Sequence, residues 1–373
     1  MTILKVGSLF AGVGGICLGF QQAKYKNSGY QIQWANELDS YACETYRQNF
    51  SHPILEGDIN KVLHPINDEF KDLHEQMFSE PIDVLNGGFP CQAFSISGLR
   101  KGFEDEKGRG RLFEAFIDFI NIHNEKFHKK PRFLFLENVR YLLTHDKGNT
   151  FNTIKSKLEA CGYKVKANIL NTMELTNLPQ NRERLYIIGF LNQDDEDRFN
   201  FFDKEKLDLL IKKNLKKINR LEQIQKVIDF SESNPYFFYT PEKYPRYFNK
   251  IDNNQNSGLI DLSKEITEEN QFYQIRRGMY VRRNKKSVCP TLTANMGTGG
   301  HNVPLIKVKD GVRKLTPAET FKLQGFPVGN GYDLPETYNG RCFSDSHLYK
   351  QAGNAVSVPV IKLLATEILK IIE

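Results

Sequence analysis

The sequence predicts an α/β protein: a doubly wound, mostly parallel sheet accompanied by a second, smaller domain. Three observations lead there. Short apolar runs alternate with helix-length segments through the first half of the chain. A glycine cluster follows the first of those runs, and after Phe190 the rhythm stops and the composition changes.

Taken in order, Leu4 to Leu9 form a short apolar run. It is broken by Gly12, Gly14 and Gly15 and followed by a helix-like stretch through Gln22. Strand, tight glycine turn and helix are the opening of a nucleotide-type α/β unit. QIQWANEL reads as a second strand ending in Glu37, about 20 residues after the glycines, the spacing of a ribose-binding carboxylate. IDVLNGG (82–88), RFLFLEN (132–138) and RLYIIGF (184–190) continue the series, each separated by helix-length sequence. Such alternation implies a parallel sheet covered on both faces, with ligand chemistry at the carboxyl ends of its strands. VSVPVIKLLATEILKII reads as a closing helix that restores the α/β character. The expected division is 1–190, a different domain over 191–312, and a return over 313–373.

The chain has 373 residues, with 51 Lys or Arg against 45 Asp or Glu and a formal charge of +6. With 40% hydrophobic and 26% charged residues it is near the globular average, which excludes a mainly disordered or fibrous chain. The charge is unevenly placed. Between Lys204 and Lys286 there are 18 Lys or Arg against 11 Asp or Glu, leaving 33 against 34 elsewhere. KEKLDLLIKKNLKKINR fits a solvated helix face. QIRRGMYVRRNKKS is different, because Arg276, Arg277, Arg282 and Arg283 lie among aromatics beside Lys285 and Lys286. Arginine forks suit guanine edges and phosphates alike.

Six cysteines (Cys17, Cys43, Cys91, Cys161, Cys289, Cys342) form no C-x-x-C pair and have no histidine at zinc-ligand spacing. Reduced thiols, a cytoplasmic setting and no metal are therefore expected. The opening MTILKVGSLFAGVGGICLGF carries one lysine and five glycines with no clear cleavage site, so neither a leader nor a membrane span is expected.

Four places at strand ends carry unusual residues. GGFPCQ puts Cys91 after Pro90 in a stiff turn, which favours a nucleophile over a buried structural thiol. Glu137 ends the apolar run of LENVR, where a charge is costly unless used or paired. Gln180, Arg182 and Arg184 alternate along QNRER on entry to RLYIIGF. YKQAGNAVSVP, with Asn354, precedes the last helix.

With these stretches in view, the sequence resembles the DNA cytosine-5 methyltransferases of the prokaryotic restriction–modification type. The matching strings are FAGVGG, ANELD, EGDI, GGFPCQAFSISG, FLENV, PQNRERLYIIGF, RKLTPAETFKLQGFP and YKQAGNAVSVP, in family order over 1–190 and about 313–373. The resemblance implies a Rossmann-like S-adenosylmethionine-dependent methyltransferase fold. Residues 1–190 would be the catalytic and cofactor-binding domain, 191–312 the target-recognition domain, and 313–373 the hinge and return, with DNA in the cleft between the domains.

It also implies residue roles. Phe10, Ala11, Gly12, Gly14 and Gly15 would line the S-adenosyl-L-methionine pocket, with Pro90 also among the cofactor residues. Glu37 would bind the ribose hydroxyls, Leu38 would cover the adenine, and Asp58 and Ile59 would hold its edge. Asn354 and Ala355 would complete the pocket near the methionine end. Cys91 would be the nucleophile, and Glu137, Arg182 and Arg184 would grip the target base. Ser97 would belong to a mobile loop closing over double-stranded DNA. The implied partners are duplex DNA and a cognate restriction endonuclease linked by function, with the enzyme a monomer.

Several features depart from the pattern. Ser8 stands where the family often has Asp, and the charged loop GFEDEKGRGRLF is one or two residues longer than its commonest form. Residues 191–312 fall in the variable region, where CPTLTANMGTGGHNVPL resembles a recognition element. Thr291, Leu292 and Thr293 are its candidate groove contacts, and a simple glycine hairpin fits the same stretch equally. A tRNA-modifying branch shares these motifs but has a smaller recognition region, so the long insert favours duplex DNA. Intact Cys91, Glu137 and Arg182 weigh against a catalytically silent DNA-binding member.

Overall fold

A computed structural model describes residues 2–66, 68–89, 112–248, 260–284, 287–298 and 302–373. They divide into two compact units. The first comprises Met1–Asn171, Glu183–Lys212 and Val358–Glu373; the second comprises Thr172–Arg182 and Lys213–Ser357.

The first unit is built on seven strands: β1 (Ile3–Leu9), β2 (Gly29–Glu37), β3 (Ile54–Glu56), β4 (Val84–Gly87), β5 (Phe133–Val139), β6 (Lys164–Asn171) and β7 (Glu183–Phe190). Their order in the sheet is β3-β2-β1-β4-β5-β7-β6. The pairs from β3 through β5 are parallel, as expected, whereas β7 runs antiparallel to both β5 and β6. The reason is the connection: residues 172–182 link adjacent strands, too short a path for the crossover that a parallel pair needs. Strands β4 and β5 are buried nearly throughout, which accounts for their continuous apolar sequence.

The helix Gly15–Gln22 packs against the closing helix Val358–Ile372, which belongs to the same unit. Gly19 permits the contact, since a Cβ there would lie 2.5 Å from the Cβ of Ile361. On the other face, the helix Glu114–Phe127 buries Phe116, Phe119 and Ile120. Phe119 stacks on Phe78 at 5.0 Å and tilts against Trp34 at 5.4 Å, at the centre of the main core.

The second unit holds an antiparallel sheet of β8 (Phe238–Tyr239), β9 (Tyr273–Arg276), β10 (Tyr280–Arg283), β11 (Leu305–Val308) and β12 (Gly311–Lys314), ordered β10-β9-β11-β12-β8. Tyr273, Ile275, Leu305 and Val312 join Ile260, Leu262 and Ile266 in its core. The boundaries differ from the sequence expectation. Residues 172–182 and 313–357 belong to this unit rather than to the sheet domain or a separate hinge. The physical reason lies in two buried polar anchors. Arg313, in an interior strand, makes a bidentate bond to Glu319 (2.8 and 2.6 Å) on the helix Pro317–Gln324, with neither side chain exposed. Gln180 donates to the Leu323 carbonyl at 2.7 Å.

The Lys-rich stretch forms the helix Lys204–Leu215, with Leu207 its one buried residue, as a solvated face should. Among the described residues no helix is long and apolar enough to cross a membrane.

Candidate functional site

At the carboxyl ends of β1, β2 and β3 the first unit gathers one group of expected residues. The turn after β1 is unusual in backbone terms, with Phe10 (φ 54°), Gly12 (φ 55°) and Gly14 (φ 82°) all left-handed. A non-glycine residue in that region is strained, and such strain persists where the surroundings enforce it. The enforcing group is Glu37. One carboxylate oxygen accepts from the Gly12 amide at 2.8 Å, and the other accepts from the Leu38 and Asp39 amides at 2.9 Å. The Ala11 amide adds a bond to the Asn36 carbonyl at 3.0 Å. Beyond β3, Asp58 caps a short helix through the Asn60 amide at 2.9 Å, and Ile59 is buried.

These residues fit a nucleoside-bearing ligand. A Cβ on Gly12 would meet nothing within 4 Å, so open space lies beside the turn. Leu38 leaves an apolar side chain 66% exposed next to a carboxylate able to accept from a diol. Gly14 serves packing instead, because a Cβ there would lie 2.2 Å from the Phe50 ring. Asn354 and Ala355, expected in the same pocket, fall in the second unit at the end of the helix Asp345–Asn354.

A second group lies where β4, β5 and β7 meet. Glu137, 8% exposed, pairs with Arg184 through an Nε–Oε1 distance of 3.1 Å. The two strands are antiparallel neighbours, with Arg184 opposite Val139. A Cβ built on Gly88 would lie 3.3 Å from the other oxygen of Glu137. The Asn138 amide donates to the Phe89 carbonyl at 3.1 Å, so the end of β5 holds the segment leading to Pro90 and Cys91. Pro90, Cys91 and Ser97 themselves lie outside the described residues. Cys17, Cys43 and Cys289 are buried, and burial pushes each thiol up, which disfavours the thiolate at all three.

Arg182 departs from the expected pattern. It is 2% exposed, in the second unit, and donates to the main-chain carbonyls of Leu292 (2.9 Å), Gly353 (3.4 Å) and Ala355. Its guanidinium ties together three main-chain carbonyls, two of them at the end of the helix Asp345–Asn354, whereas Arg184 meets Glu137. The alternation in QNRER therefore ends with its arginines in different units.

In the second unit a cavity of about 560 Å³ is lined by Gln274, Arg276, Arg282, Asn284, Thr291 and Thr293, among others. The β9–β10 hairpin turns through Arg277 (φ 54°) and Gly278 (φ 66°), two successive left-handed residues that suit a tight hairpin. This register divides the four arginines. Arg276 and Arg282 line the cavity, Arg277 sits in the turn, and Arg283 pairs with Glu268. Leu292, expected as a groove contact, is 1% exposed with its side chain in the interior; Thr291 and Thr293 remain at the cavity. Sequence reasoning missed Gln274 and Asn138. The two-residue period of QIR on β9 was a signal for the first, since it puts Gln274 and Arg276 on one face.

A family model for C-5 cytosine-specific DNA methylases matches residues 4–370. The chain is 43% identical over 368 residues to the Type II methyltransferase M.Bsp6I of Bacillus sp. (strain RFL6), covering 99% of each. It is 31% identical over 380 residues to the Type II methyltransferase M.HhaI of Haemophilus parahaemolyticus, covering 99% of this chain and 95% of that one. Among solved structures, the Entamoeba histolytica methyltransferase EhMeth shares the fold at a TM-score of 0.64, with 16% identity and 100% of each chain covered. Dnmt2 methyltransferase of S. pombe does so at 0.62, with 17% identity and 99% of each chain covered.

Proposed function

The chain belongs to the C-5 cytosine-specific DNA methylases, and we propose that it methylates cytosine within a short, specific duplex site through a covalent adduct at Cys91. It is a DNA (cytosine-5-)-methyltransferase of the restriction–modification type, and the proposed role is to protect host DNA from a cognate endonuclease. The observation that carries the reading is the Glu137–Arg184 pair, set against the Gly88–Phe89 segment that leads to Cys91.

Carbon 5 of cytosine is a poor nucleophile because the ring is aromatic and neutral. Addition of the Cys91 thiolate to carbon 6 breaks the aromaticity and leaves carbon 5 enamine-like. Negative charge then develops over the ring. Glu137, in its protonated form, is suited to donate to ring nitrogen 3, and Arg184, held beside it, to meet the base oxygen. S-adenosylmethionine, when bound, supplies the electrophilic methyl group. Phe10–Gly15, Glu37, Leu38, Asp58 and Ile59 would hold it at the strand ends. Transfer of the carbon-5 proton to a base, with departure of the thiolate from carbon 6, restores the aromatic ring. None of these ring atoms is accessible in a stacked duplex, so the base must be turned out at a cost of a few kcal/mol. Arg182 acts as a positioning residue, holding Leu292 beside Gly353 and Ala355 rather than touching the base.

The test is transfer of label from S-adenosylmethionine to duplex DNA or to tRNA, for wild type and Cys91→Ser. Label at carbon 5 of DNA cytosine, abolished in Cys91→Ser, is expected. No label in DNA overturns the reading, and label in tRNA alone moves the substrate to RNA.

A further inference from the structure

Gln274 lies in β9 with its side chain 8% exposed, directly across the hairpin from Arg282. Its Oε1 accepts from Arg282 Nη2 at 3.1 Å and from Arg276 Nη1 at 3.3 Å. One neutral oxygen therefore holds two guanidinium groups side by side at the wall of the second unit's cavity. Among the described residues neither arginine has a carboxylate partner. The neighbouring Arg283, by contrast, is matched by Glu268, and Arg313 by Glu319. Two adjacent cations with a neutral clamp and no counter-charge are arranged for a ligand that supplies acceptors.

We propose that Arg276 and Arg282, aligned by Gln274, read guanine in the target site; this rests on the duplex-DNA reading above. In the major groove guanine alone presents two acceptors, N7 and O6, with no donor or methyl beside them. Adenine and cytosine offer an amino donor there and thymine a methyl group, none of which an arginine fork can satisfy fully. A two-stranded ribbon is also narrow enough to enter that groove. The tight turn at Arg277 and Gly278 brings the cavity-lining strands to such a ribbon end. Gln274 is the positioning residue: it contacts no base, and its oxygen sets where the two forks stand. A phosphate would satisfy the same cations but would carry no sequence information.

The experiment maps methylated cytosines by bisulfite sequencing on DNA exposed to wild type, Arg282→Lys, Arg276→Lys, Gln274→Leu and Arg283→Lys. Nonspecific DNA affinity is measured in parallel. The lysine variants keep the charge but lose the planar fork. The wild-type site should contain guanine whose replacement is poorly tolerated. Arg276→Lys and Arg282→Lys should each lower discrimination at a guanine position by roughly 5- to 150-fold, with nonspecific affinity within about threefold. Gln274→Leu should relax the same positions, and Arg283→Lys should relax none. Unchanged discrimination in both cavity-lining lysine variants, or a site without guanine beyond the target pair, overturns the guanine assignment. Failure of the wild type to methylate any DNA overturns the parent reading and this one together.

Discussion

Arg184 holds its Nε 3.1 Å from Oε1 of Glu137, across two antiparallel strands and with both side chains largely buried. The pair makes each residue depend on the other. Glu137 has a fixed cation beside it where the chain leads to Cys91, and Arg184 has a reason to stay out of water. The contact is an ion pair, and its low exposure leaves it little screened by water.

Glu137→Gln keeps the volume and removes the charge. We expect kcat to fall by about 10²- to 10³-fold, with DNA affinity changed less than tenfold. Arg184→Ala should lose comparable activity and, by removing the cation beside a buried carboxylate, cost on the order of 3 kcal/mol of stability. Single-turnover rates and denaturant melts of the two variants check both statements.

Gly12 and Gly14 should fail for different reasons. Both have positive φ, which costs an L-residue about 1–2 kcal/mol. Gly14→Ala also drives a Cβ to 2.2 Å from the Phe50 ring, so it should lower the melting temperature sharply. Gly12→Ala meets no neighbour and should fold, yet bind S-adenosylmethionine at least tenfold more weakly by calorimetry.

His52 predicts an acid-sensitive region beneath the glycine turn. Its Nε2 shares a hydrogen bond with the Tyr46 hydroxyl at 2.5 Å, and burial lowers its pKa to about 4. The unfolded chain, with a histidine pKa near 6.5, then binds more protons between those values. The associated stability is complete above pH 6.5 and is lost as pH falls towards 4. His123 acts in the same direction, its Nε2 accepting from the Ile82 amide at 3.0 Å. Melting temperature against pH should fall over this window, and His52→Gln should flatten the slope.

Two arginine–glutamate pairs of the second unit differ in burial and should differ in worth. Arg313 and Glu319 are buried, so Arg313→Met should cost roughly 3–5 kcal/mol by leaving the carboxylate unpaired. Arg283 and Glu268 are about half exposed, and Arg283→Met should stay within ~1 kcal/mol. Urea melts of the two variants make the comparison.

Much of the sheet was legible because β1, β2, β4, β5 and β7 are short, mainly apolar runs separated by helix-length sequence. β3 was missed because it is only three residues long, and β6 because KVKANILN, at the sheet edge, is largely half-exposed and polar. The direction of β7 could not be read from its residues; it follows from the short 172–182 connection. Glu37 stood out by its spacing after the glycines, and Glu137 because a carboxylate ending an apolar run is costly unless used or paired. Arg182 and Arg184 look equivalent in QNRER, yet one donates to main-chain carbonyls and the other forms an ion pair with Glu137. That difference is tertiary, as is the burial of Leu292. Gln274 carried no motif; the period of QIR puts it on the face of Arg276, but only the hairpin register sets it opposite Arg282.

The central claim is a covalent step at Cys91. The most direct measurement incubates the enzyme with S-adenosylmethionine and a duplex carrying 5-fluorocytosine at the target position. Fluorine at carbon 5 cannot leave as a proton does, so the adduct should persist through denaturing electrophoresis. Peptide mapping should place the DNA on Cys91, and Cys91→Ser should form none. A fully active enzyme that yields no adduct, or one mapped to another residue, would contradict the account.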